Sequence, residues 1–216
     1  DVILTNPPFG GEEERGIQDN FPAGLKTAET AWLFLQSVMA RLERKKGRCG
    51  IVVPNSVLFD QNIGGRVKKE LMTKFNLHTV LRLPNGVFAP YTLIPSNVLF
   101  FEWGPQDEHV WFYEHPMPEG RKNYTKTKPM AHEEFAACEA WWGGRSREGR
   151  VETAQAWRVR ADEIAESGYD LDRRNPNRPD DLTHRPPAEL IAGLIETEHE
   201  LLALLESLQR EIQDFS

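Results

Sequence analysis

Through the first half of the chain, apolar residues fall in short dense runs separated by stretches of helical spacing. Val2-Ile3-Leu4 is a compact apolar run that ends at Asn6-Pro7, as a buried strand stopped by a turn would, because the residue before a proline is pushed out of the α region. The polar, glycine-rich residues 10–24, with Glu12-Glu13-Glu14, read as a mobile loop. From about Thr27 to Lys45, Ala31, Trp32, Leu35, Val38, Met39 and Leu42 recur on one helical face. Arg41, Glu43 and Arg44 take the other, and Gly47 is placed to close the helix. Cys49-Gly50-Ile51-Val52-Val53-Pro54 is unbroken in its apolarity, which predicts a strand covered on both faces. A second helix is predicted over 64–75, with Val67, Leu71, Met72 and Phe75 inward. A strand follows over 77–83, then a Pro-, Gly- and Asn-rich loop over 84–95 and strands at Asn97–Phe101 and Val110–Tyr113.

This order predicts an α/β fold. Helical crossovers imply parallel strands, and the helix-free link from Leu83 to Asn97 implies an antiparallel addition at the sheet's edge. Residues 115–180 are less regular. They hold two polar stretches, 121–128 and 143–150, and Asn175 to Asp181 read as a linker. Beyond Pro186-Pro187 one long helix is predicted. Leu190, Leu194, Thr197, Leu201, Leu204 and Leu208 form a heptad seam on it, widened by Ile191, Ile195, Leu202, Leu205 and Ile212, which suits a bundle of more than two helices. The expected parts are therefore a sheet domain at 1–115, an irregular extension and linker at 116–180, and a docking helix at 181–216. Because Asp1 already lies at the start of a core strand, the chain is expected to be the back portion of a longer protein. The strand Asp1–Thr5 would then be an exposed edge, loosely held or open to self-association.

Charge narrows the partners. The chain carries 26 Lys+Arg against 33 Asp+Glu, a formal net charge of -7. A self-sufficient DNA binder shows a basic balance or face, so most phosphate contacts would come from elsewhere. Cys49 and Cys138 are far apart, and the histidines pair with no cysteine at zinc spacing, so neither a disulfide framework nor a metal site is expected. No apolar run approaches the ~18 residues of a membrane span, and a cytoplasmic location is expected.

Asn6-Pro7-Pro8-Phe9 carries the candidate chemistry. It follows a strand, where open parallel sheets place their ligands. Pro7 offers a carbonyl and no N–H, Pro8 fixes that carbonyl in extended backbone, and Asn6 adds a side-chain acceptor. Two fixed acceptors suit an exocyclic NH₂ group, and Phe9 gives a flat ring a face to stack on, worth roughly 1–3 kcal/mol. Pulling on both amine hydrogens favours the pyramidal form, frees the nitrogen lone pair and stabilises the developing positive charge. In duplex DNA that amine is reached only if the base is flipped out. Among the other candidates, Lys122, Tyr124 and Lys126 read as phosphate contacts or as a solvated loop. Trp141-Trp142 reads as packing rather than a stacking surface, and His78 as structural.

Several segments carry a family resemblance. DVILTNPPFGG (Asp1–Gly11) resembles the catalytic motif of amino-methyltransferases in its type I form. TAWLFLQSVMARL (Thr30–Leu42), GIVVPNSVLF (Gly50–Phe59) and LRLPNGVFAPYTLIPSNVLFF (Leu81–Phe101) are similar to the family's next helix, strand and antiparallel hairpin. Tyr169-Asp170-Leu171 and the terminal leucine helix resemble its C-terminal tail. The resemblance is to the modification subunit of type I restriction-modification systems. It implies the C-terminal half of a Rossmann-like S-adenosylmethionine-dependent methyltransferase sheet, with the Asp1 strand fourth of seven. It also implies transfer of a methyl group from S-adenosyl-L-methionine to adenine N6 in DNA. The partners would be a specificity subunit, a restriction subunit and a second modification subunit. Catalysis would rest on Asn6, Pro7, Pro8 and Phe9, and substrate binding on Phe9, Lys122, Tyr124 and Lys126. The family's glycine-rich cofactor loop and ribose-holding acid would lie upstream of Asp1, so no cofactor-binding residue is assigned here. The alternatives are a non-catalytic assembly module docking by its C-terminal helix, and an RNA or protein-glutamine amino-methyltransferase.

Overall fold

The computed structural model describes residues 1–177 and, beyond them, Ile191, Ile195, residues 197–199, Leu201, Leu202, Leu205 and Gln209. In chain order the first elements are β1 (Val2–Thr5), α1 (Arg15–Gln18), α2 (Thr30–Lys45), β2 (Arg48–Pro54), α3 (Ser56–Phe59), α4 (Ile63–Lys74) and β3 (Phe75–Arg82). They are followed by β4 (Ser96–Trp103), β5 (His109–Glu114), α5 (Ala136–Trp141), β6 (Ala156–Arg160) and α6 (Ala161–Glu166). The chain divides into two units, 1–177 and 178–216.

The six strands form one sheet in the order β1-β2-β4-β3-β5-β6. β1 and β2 are parallel, as are β3 and β5, while β4 runs antiparallel to both β2 and β3. β1, β2, β3 and β5 therefore share one direction, and the expected α/β class holds. The antiparallel hairpin is present as β3–β4, but its return strand lies inside the sheet rather than ending it. β4 sends Leu99 and Phe101 into the main core and Val98 and Phe100 into a second cluster on the other face, so an interior place covers it on both faces. β1 occupies one edge, with Val2 and Leu4 exposed.

Helices α2 and α4 cover one face. Trp32, Leu35 and Leu42 of α2, Val67 and Leu71 of α4, and Ile51 and Phe101 of the sheet meet in the main core. Each such fully buried side chain contributes roughly 1.5–3 kcal/mol. The end of α2 differs from expectation. Lys46, not Gly47, takes the left-handed conformation (φ 50°), and the Gly47 N–H returns to the Leu42 carbonyl at 3.3 Å. Gly47 is needed for a different reason: a Cβ there would lie 2.6 Å from the Asp1 carbonyl oxygen. Phe75, expected to close α4, opens β3 instead and is fully buried.

Residues 116–177 are more regular than their composition predicted. β6 pairs antiparallel with β5, and Trp157 stacks on Phe112 at 5.5 Å. Phe135, Cys138, Trp141 and Trp142 cover the second sheet face over Leu81, Tyr113 and Phe100. Residues 10–24 are likewise built rather than loose: the Glu13 N–H donates to the Ala28 carbonyl at 2.8 Å, and Thr30 Oγ1 to Glu13 Oε1 at 3.2 Å. Of the expected heptad seam, Thr197 and Leu201 are helical and exposed, while Leu190, Leu194, Leu204 and Leu208 lie outside the described residues.

Candidate active site

Because β1, β2, β3 and β5 run the same way, their carboxyl ends gather at one end of the sheet. Asn6 follows β1, Asn55 follows β2, the loop 83–95 follows β3, and antiparallel β4 begins there with Ser96 and Asn97. Asn6 is exposed, Pro7 buried, Pro8 exposed and Phe9 half-buried. Burial of the Pro7 ring anchors the turn, while the Asn6 side chain makes no hydrogen bond among the described residues, so its acceptor is free. Phe9 meets Phe88 edge to face, ring centroids 5.1 Å apart at 84°, a favoured geometry for aromatic pairs. Phe88 thus braces Phe9 from the loop after β3.

Asn55 ties the strand ends together. Its N–H donates to the Pro95 carbonyl at 2.8 Å, and its side-chain oxygen accepts from Asn97 Nδ2 at 3.1 Å. Neither Phe88 nor Asn55 was singled out from sequence. The only available signal was that both lie just past a predicted strand, within the quoted family-like segments.

The basic stretch lies beside this site. The Tyr124 N–H donates to the Asn85 carbonyl at 3.5 Å, and a Cβ on Gly86 (φ 78°) would come within 2.9 Å of the Tyr124 carbonyl oxygen. The three candidates on this stretch then part company. Lys122 and Lys126 are exposed, but Tyr124 is only 1% exposed and turned inward. Its hydroxyl donates to Glu134, and the Arg121 guanidinium lies 4.9 Å over its ring. Burial and the adjacent Glu134 carboxylate push its pKa up to about 12. Tyr124 is a pin under the loop, and it presents no stacking face.

The remaining candidates are structural. Trp141 packs on Tyr113 at 5.1 Å and Trp142 on Phe100 at 4.8 Å, with the Arg150 guanidinium 4.5 Å from each indole. His78 is buried on β3, and burial together with Arg147 and Arg150 pushes its pKa down to about 3. Both cysteines are buried and free, and burial raises their thiols to about 12 for Cys49 and about 11 for Cys138. Neither is a poised nucleophile. Among the described residues no group of His, Cys, Asp and Glu is placed to hold a metal ion, and no helix is long and apolar enough to cross a membrane.

Residues 1–184 match the family described as N-6 DNA Methylase. The chain belongs to this family. It is 50% identical over 194 residues to the Type I restriction enzyme EcoEI methylase subunit of Escherichia coli, covering 89% of this chain and 39% of that protein. It superposes on a modification subunit of a putative type I restriction enzyme from Vibrio vulnificus YJ016 with a TM-score of 0.75 at 50% identity, covering 85% of this chain and 40% of that one. A structure solved in a study of complex assembly and conformational transition of the type I R-M system gives a TM-score of 0.76 at 41% identity, over 100% of this chain and 46% of that one. The chain thus spans less than half the length of each of these relatives.

Proposed function

We propose that this chain is the target-facing part of an adenine-N6 DNA methyltransferase, the modification subunit of a type I restriction-modification system. The observation that carries this reading is the turn after β1. Asn6 holds a free acceptor beside the fixed carbonyl of Pro7, and Phe9 stands braced by Phe88, in a chain of the N-6 DNA methylase family. Asn6 and Pro7 accept the two hydrogens of a flipped adenine's amine, hold its lone pair outward and stabilise the charge that develops on nitrogen. Phe9 holds the ring by its face.

S-adenosyl-L-methionine supplies the electrophilic methyl group. The residues here fit the acceptor side of that reaction and not the cofactor's cradle. The turns after β1, β2 and β3 carry Asn-Pro-Pro-Phe, Asn55 and the loop 83–95, with no glycine-rich cofactor turn among them. DNA is the substrate, and Lys122 and Lys126 flank the site as phosphate contacts. The partners are a specificity subunit, a restriction subunit and a second modification subunit, in the cytoplasm. Ile191, Ile195, Leu201, Leu202 and Leu205 are exposed in this chain, which suits a helix that docks on the specificity subunit.

The test is the identity of the product. DNA treated with the full-length subunit, its specificity subunit and methyl-labelled cofactor, then digested to nucleosides, is expected to carry the label on N6-methyladenine. Label on cytosine, or on RNA or protein in place of DNA, would contradict the reading.

A further inference from the structure

The loop between β3 and β4 carries apolar side chains that the fold does not use. Tyr91 is 90% exposed, Leu93 76% and Ile94 48%. Exposed apolar residues scattered singly need no explanation, but a cluster on one loop tip marks a contact surface. The tip is held in shape. The Ala89 N–H donates to the Gly86 carbonyl at 2.9 Å, the Tyr91 and Thr92 N–H groups to the Phe88 carbonyl at 2.9 and 3.2 Å, and the Ile94 N–H to Thr92 Oγ1 at 3.1 Å.

Both ends of this loop are anchored in the candidate site. Phe88 packs on Phe9, and the Pro95 carbonyl is held by Asn55. At its start, Asn85 is bonded to Tyr124, at the centre of the basic stretch that exposes Lys122, Lys126 and Lys128. The apolar tip therefore springs from between the amine-holding turn and a row of cations.

We propose that Tyr91, Leu93 and Ile94 form a wedge that enters duplex DNA beside the target adenine and holds the helix open while the base is flipped. The proposal rests on the adenine-methylation reading above. Extruding a base costs a few kcal/mol of lost stacking and pairing. Apolar side chains inserted at a base step keep the gap open and gain burial there. The lysines alongside match the phosphates flanking such a gap. That charge favours DNA over an apolar protein surface as the occupant of the tip.

The experiment uses the full-length subunit assembled with its specificity subunit, and a duplex bearing the adenine it methylates, located beforehand by mapping methylated DNA. The Tyr91→Ala/Leu93→Ala variant is compared with wild type on two duplexes, one with the target adenine paired to thymine and one with it opposite an abasic site. A third duplex carries 2-aminopurine at the target position. On the paired duplex, methylation by the variant is expected to fall about tenfold or more and the 2-aminopurine fluorescence rise to be lost. Opposite the abasic site, where little pairing is left to break, the rate is expected within about threefold of wild type. Equal losses on both duplexes, no loss on either, or failure of the variant to assemble overturns the wedge. A wild-type assembly that methylates no adenine overturns instead the functional reading beneath it. Asn6→Ala, expected to be inactive on both duplexes, marks loss of chemistry as distinct from loss of flipping.

Discussion

At the scale of single residues, the candidate site and its support use polar groups in opposite ways. Asn6 keeps its acceptor free at the surface, whereas His78 has its proton economy fixed from within. Arg150 Nη1 donates to Thr79 Oγ1 at 2.8 Å, so the threonine hydroxyl has its own proton left to give to His78 Nδ1, 2.8 Å away. The imidazole is thus held neutral, consistent with a pKa near 3 against an ordinary 6.5. Between those values the unfolded chain binds a proton that the folded chain does not, so this group's contribution is present above pH 6.5 and is lost as pH falls toward 3. Urea unfolding of wild type and His78→Gln is expected to show wild type losing about 2 kcal/mol relative to the variant between pH 7 and pH 5. Parallel pH profiles would contradict the assignment. Residues differ in how well sequence exposes them. The turn that ends β1 at Asn6-Pro7-Pro8-Phe9 was legible because prolines act through the local backbone. Phe88 was not, because its role is a contact with a residue far away in sequence. The burial of Tyr124, read from sequence as a phosphate contact or part of a solvated loop, was not legible, because only tertiary packing turns its ring inward.

At the scale of elements, α2, β2 and α4 were readable because long apolar periodicities survive any packing arrangement. β6 was missed: Ala156-Trp157-Arg158-Val159-Arg160 is short and carries two arginines, and only pairing with β5 makes it a strand. The place of β4 was also hidden, since strand order is a matter of pairing partners rather than of pattern. The α2–α4 contact makes a sharper prediction. Gly64 lies in α4, and a Cβ there would meet Trp32 Cζ2 at 2.3 Å and Asp60 Oδ2 at 2.6 Å. Trp32 is fully buried and cannot swing away, and Asp60 holds the Gly64 N–H at 3.0 Å. Alanine gains about 1 kcal/mol over glycine in helix propensity, but overpacking costs typically 1–3 kcal/mol. The 2.3 Å approach to Trp32 puts the cost in the upper part of that range, so Gly64→Ala is expected to destabilise the chain by about 1–2 kcal/mol in urea unfolding. In α1, Gly16 has nothing within 4 Å of its virtual Cβ, so Gly16→Ala is expected to be neutral or to stabilise by up to about 1 kcal/mol. The same sign for both substitutions would refute the packing argument.

At the scale of the whole molecule, one end of the sheet gathers the Asn6–Phe9 turn, its aromatic brace and the basic loop, in a chain whose formal net charge is -7. On the proposed reading, a chain of this charge leaves most phosphate contacts beyond those of its exposed lysines to the rest of an assembly. The chain covers 39% of the EcoEI methylase subunit's length. The central claim is that Asn6 acts on the amine of the target adenine rather than on DNA affinity. The direct test is single-turnover methyl transfer by the full-length subunit with its specificity subunit, comparing wild type with Asn6→Ala while DNA binding is measured in parallel. The expected result is a rate lower by about 10²–10³, the cost of removing one stabilising hydrogen-bond partner from a transition state, with DNA affinity little changed. An unchanged methylation rate, or a loss wholly explained by weaker DNA binding, would contradict the account.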